Sequence, residues 1–110
     1  MRQLLIDDLS CEERDNIETY LKRTLKHAAV KGMFWLPLPD DLLGESQIGH
    51  NDCGPFYFGV ELGKDRVSFE LLIRSEANLH CSCISYADRG QRDFVFSFVD
   101  RLISAEKIRA

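Results

Sequence analysis

Two short runs hold most of the residues able to do chemistry. His50-Asn51-Asp52-Cys53 and His80-Cys81-Ser82-Cys83 contain two of the three histidines and three of the four cysteines. Imidazole nitrogen and thiolate sulfur are the ordinary donors to tetrahedral zinc, so His50, Cys53, Cys81 and Cys83 form an alternative metal set. Spacing argues against it. In an extended strand, residues two apart lie about 6.6 Å from each other, whereas two sulfurs on one zinc are separated by about 3.8 Å. His80 would also point to the opposite strand face. The expectation is therefore small core cysteines at 81 and 83, with no metal and no cofactor.

Other chemistry is no better supported. Cys53 with His50 has the composition of a thiol nucleophile and its base, but no family-type signature surrounds it, and a nearby Asp52 would raise the thiol pKa rather than lower it. Cys11 falls at a helix start, where the dipole favours a thiolate, while Glu12 and Glu13 oppose that. The acid pairs Asp7-Asp8 and Asp40-Asp41 flank helical segments, so helix-start electrostatics explains them. There is no phosphate loop, dinucleotide fingerprint, nucleophile elbow or paired-histidine zinc motif, and the balance leans away from an enzyme.

Composition sets wider limits. The chain has 110 residues, 45% hydrophobic and 29% charged, an ordinary mix for one globular domain. Its formal charge of −4 disfavours nucleic acid and anionic lipid as partners. No apolar run approaches the roughly 20 residues needed to cross a bilayer, and Asp7-Asp8 interrupts the start before a signal core forms. A cytoplasmic location follows as an expectation, with all four cysteines reduced.

The elements that must position these residues read as follows. Ser10 and Glu13 have capping-box spacing, and Ile17, Tyr20, Leu21, Thr24, Leu25 and Ala28 continue one stripe, which predicts a helix over 10–31 stopped by Gly32. Met33 to Leu38 is apolar but carries Pro37, which predicts an edge strand over 33–38. Residues 40–54 read as a loop. From 55 to 86 the period becomes two: Phe56, Phe58, Val60 and Leu62, then Val67, Phe69, Leu71 and Ile73, then Leu79, Cys81 and Cys83 take the inward phase of a three-stranded meander. Phe94, Val95, Phe98, Val99, Leu102 and Ile103 mark a second helix over 91–107. The fold class is α+β: a two-layer sandwich in the order α-β-β-β-β-α, with a three- to four-stranded antiparallel sheet and two helices on one face.

That phase leaves Tyr57, Leu72, Ile84 and Tyr86 facing away from the helices, with Trp35 on the neighbouring edge. Apolar and tyrosine side chains among polar ones suit a protein interface. The functional expectation is a binding or adaptor module using Trp35, Tyr57, Leu72, Ile84 and Tyr86, with itself as a homodimer or another protein as partner. The alternative is a thiol or metal-binding protein using Cys53 with His50, or Cys81 with Cys83.

Overall fold

The computed structural model describes residues 2–106. Its elements are β1 (Gln3–Ile6), α1 (Cys11–Thr24), β2 (Lys26–His27), β3 (Met33–Pro37), β4 (Phe56–Leu62), β5 (Val67–Ser75), β6 (Ser85–Tyr86) and α2 (Arg89–Glu106). The strands form one antiparallel sheet of six in the order β1-β5-β4-β3-β2, with β6 pairing β5 beyond the end of β1. The fold is α+β, with six strands where three to four were expected and a strand ahead of the first helix.

The period-two residues of β4 and β5 take the inward phase foreseen. Phe56, Phe58, Val60, Leu62, Val67, Phe69, Leu71 and Ile73 are buried and share a core with Ile17, Tyr20 and Leu21 of α1 and Val95, Phe98, Val99 and Leu102 of α2. Burying a side chain of this size contributes about 1.5–3 kcal/mol. The register of the hairpin slips between Phe58 and Val60, so the ladder is irregular where Gly59 sits.

Four expectations need correction. Helix α1 begins as read, with Ser10 Oγ accepting from the Glu13 amide and Glu13 accepting from the Ser10 amide, but ends at Thr24 rather than 31. Leu25 is extended, and Lys26 and His27 pair with Trp35 and Phe34. Sheet pairing of 26–27 overrides the helical stripe, in which Leu25 and Ala28 were coincidental members. Gly32, with φ of 83°, serves the turn between β2 and β3. Second, β3 is an interior strand between β2 and β4, not an edge; Pro37 lies at its last residue, past the part paired with β2. Third, only Ser85 and Tyr86 of the expected third meander strand join the sheet, and 76–84 form a loop. Fourth, α2 starts at Arg89, capped by Asp88, whose Oδ1 accepts from the Gln91 amide; its expected end at 107 lies outside the described residues.

Candidate metal centre

The loop over 76–84 changes what its cysteines can do. The Ile84 amide donates to the Cys81 carbonyl at 3.1 Å, closing a turn that folds Cys81 and Cys83 toward each other rather than spreading them along a strand. On the other side, Asn51–Cys53 form a single 3-10 turn in which the Cys53 amide donates to the His50 carbonyl at 2.9 Å. Residues three apart eclipse in such a turn, so His50 and Cys53 present their side chains together.

The two turns meet. The ligating atoms of His50, Cys53, Cys81 and Cys83 all lie within 4.8 Å of one another. His50 Nδ1 is 3.2 Å from the Cys81 sulfur and 4.0 Å from the Cys53 sulfur. Four donors around one tetrahedral zinc, with bonds of about 2.3 Å to sulfur and 2.0 Å to nitrogen, are spaced by about 3.5–3.8 Å. The spacing objection to a shared metal thus fails, because it assumed an extended backbone that 81–83 do not have. His80 is exposed and stays outside the group, as expected.

The thiols are unlike each other. The Cys83 backbone amide, and then its thiol, donate to Cys81 sulfur and hold Cys81 down to about 6, against the opposing effect of burial. Cys83 is fully buried, and desolvation pushes its thiol up to about 12. Cys53 is also raised, first by its hydrogen bond with Cys81 and then by burial. Above the Cys81 value the cation-free pocket therefore carries one negative charge among three sulfurs, and a divalent ion would balance two of the three thiolate charges that coordination requires.

The buried polar residues converge on the same place. Among the described residues Gln47 (1% exposed), Gln91 (2%) and Ser75 (3%) are the buried polar side chains. Gln47 Nε2 donates to the Cys83 carbonyl at 2.7 Å and to Ser85 Oγ at 3.2 Å, while its Oε1 accepts from the Gly44 amide and from Gln91 Nε2. Gln91 also donates to the Leu42 carbonyl, tying this amide pair to the start of α2. Ser75 donates from its hydroxyl to the Cys53 carbonyl and accepts from the Asn78 amide. Both cysteine loops are thus pinned through their backbone by fully paired side chains, which is how an outer layer of hydrogen bonds aims metal ligands.

None of these three supports stood out in the sequence. Asp88 and Gln91 have capping-box spacing, and that signal could have placed Gln91 at the helix start. No local pattern marks Gln47 or Ser75, whose partners are far away along the chain.

The expected surface set is dispersed. Trp35 and Tyr57 lie together on the sheet face away from the helices, ring centroids 5.9 Å apart, but Tyr57 is buried (8% exposed) beneath Trp35 and Lys26 rather than open to a partner. Leu72 and Tyr86 are cross-strand neighbours toward the other edge. Ile84 packs against the core from the cysteine loop instead of facing outward, because the strand that would have carried it is absent. No family model, curated protein or solved structure matches the chain.

Proposed function

We propose that this chain is a zinc-binding protein in which His50 Nδ1 and the sulfurs of Cys53, Cys81 and Cys83 hold one ion. The observation that carries this reading is the convergence of four donors from two separate loops within 4.8 Å. Three sulfurs and one imidazole match zinc in preference to calcium or magnesium, which take oxygen ligands. Four protein donors fill a tetrahedral shell and leave no position for substrate, so the ion's role is structural. It clamps the 3-10 turn ahead of β4 to the loop between β5 and β6. The test is metal content of the untagged chain purified without chelator, with thermal unfolding before and after chelation. One zinc per chain and a lower midpoint after chelation support the proposal; metal well below one equivalent, even after zinc is supplied, rejects it.

A second reading, ligand capture on the open sheet face, is favoured by a hollow of about 510 Å³ over Gly59, lined by Trp35, Tyr57, Glu61, Glu70 and Arg74. A Cβ at Gly59 would stand 3.3 Å from Glu70 Oε1 and 3.6 Å from the Trp35 ring, so any larger residue intrudes into the floor of the hollow. Glu70 is paired with Arg74 and Glu76 with Lys26, so Glu61 beside the two aromatic rings is the group in this wall that suits an organic cation. Trp35 is the sole tryptophan, and titration with phenethylammonium should change its fluorescence in the native chain but not in Gly59→Val; an unchanged signal in the native chain rejects this reading.

A further inference from the structure

At the edge of the sheet opposite β2, strand β1 has one side unpaired along Gln3–Ile6. The Arg2 carbonyl accepts from the Leu71 amide at 3.0 Å, and Leu4 and Ile6 lie opposite Phe69 and Val67. The backbone bonds to β5 therefore fall at even positions, which sends the N–H and C=O groups of Gln3 and Leu5 outward. Edge strands are usually blunted by lysine, proline or a bulge, and β1 has none of these. Beside this edge an apolar groove of about 570 Å³ runs between β1 and α2, lined by Leu4, Leu5, Phe96, Val99 and Ile103 with Asp7 and Asp100. Leu5 is 39% and Phe96 40% exposed, so apolar surface lies directly next to unpaired backbone.

We infer that this edge is the interface for a second copy of the chain, whose own β1 pairs antiparallel to it across a two-fold axis and extends the sheet from one molecule into the next. The charges favour a copy of the same strand. Arg2 stands at one end of β1 and Asp7 and Asp8 at the other. Antiparallel pairing centred on Leu5 lays Leu5 against Leu5, Leu4 against Ile6, and Gln3 of each copy opposite Asp7 of the other, which brings the Arg2 end of one strand to the Asp7 end of its partner; Asp8, with φ of 55°, ends the extended run. Such a pairing is isologous, so both copies satisfy the same groups and the assembly closes at two. Only Gln3 and Leu5 offer free backbone groups within β1, so apolar contacts on both faces must complete the interface: Leu5, which shares the open face with Ser68, against its own copy, and Phe96 and Ile103 on the helix face.

The experiment is sedimentation equilibrium of the full chain in the presence of zinc, compared with Leu5→Lys, Phe96→Glu and Leu72→Lys. The monomer mass is 12.7 kDa. The native chain should sediment at twice that mass. Leu5→Lys and Phe96→Glu, both at exposed positions, should sediment at the monomer mass with unchanged circular dichroism and zinc content. Leu72→Lys, on the open sheet face, should remain dimeric. Leu5→Pro supplies a second arm, because it deletes an outward N–H that β5 does not use. A monomeric native chain, a dimer that survives both edge variants, or a dimer abolished by Leu72→Lys alone would each overturn the proposal.

Discussion

Zinc binding by this site must displace protons, and the three thiols set how many. At pH 8 Cys81, held at about 6, is already a thiolate. Cys83, pushed up to about 12, and Cys53, also raised, still carry their protons. Coordination requires thiolate at all three, so about two thiol protons leave per zinc bound. The apparent association constant should consequently rise about 100-fold per pH unit around pH 8. Below the Cys81 value a third thiol proton must be displaced, so the dependence steepens and affinity falls faster with acid. Calorimetric titration in buffers of different ionisation enthalpy measures the released protons directly, with a competing chelator to bring tight binding into range. A release near zero at pH 8 would refute the reasoning, since it would mean the thiols are already ionised or do not bind. A release of one would mean that Cys53 or Cys83 lies outside the coordination shell.

Three further outcomes follow from the supports around the site. Gln47→Leu leaves the Gly44 amide and the Cys83 carbonyl without their side-chain partner and removes one of the hydrogen bonds of Gln91, which keeps the Leu42 carbonyl; equilibrium urea unfolding should show a loss of about 2–3 kcal/mol. Ser75→Ala frees the Cys53 carbonyl and the Asn78 amide, and zinc affinity measured by chelator competition should fall about 10- to 100-fold with the fold intact. Ser10→Ala removes the α1 cap, which touches none of the four donors, and should cost about 1 kcal/mol in the same unfolding assay without changing zinc affinity.

Much of the fold was legible where local pattern and tertiary demand coincide. Alternation in 67–73 reports burial on one sheet face, whereas 56–60 is buried on both, and the Ser10–Glu13 box acts within a single turn. Legibility failed where a long-range partner decided the outcome. Lys26 and His27 are strand because Phe34 and Trp35 offer them a ladder, although their neighbours continue a helical stripe. Gln3–Ile6 is strand because β5 has an open side, and four residues are too few to show a period. The site follows the same division. All four donors were visible by type, and the distance argument against them was sound for a strand. What the sequence did not display was the turn closed by Ile84 on Cys81, which replaces the strand and brings the sulfurs together. Gln47 and Ser75, which hold the two loops in place, act on residues 36 and 22 positions away and leave no local trace.

The most direct measurement is X-ray absorption at the zinc edge of the loaded chain. Three sulfur neighbours at about 2.3 Å and one nitrogen at about 2.0–2.1 Å are the predicted shell, with the sulfur count dropping to two in Cys81→Ser. A shell of nitrogen and oxygen, or one that Cys81→Ser leaves unchanged, would contradict the assignment of the ion to these four residues.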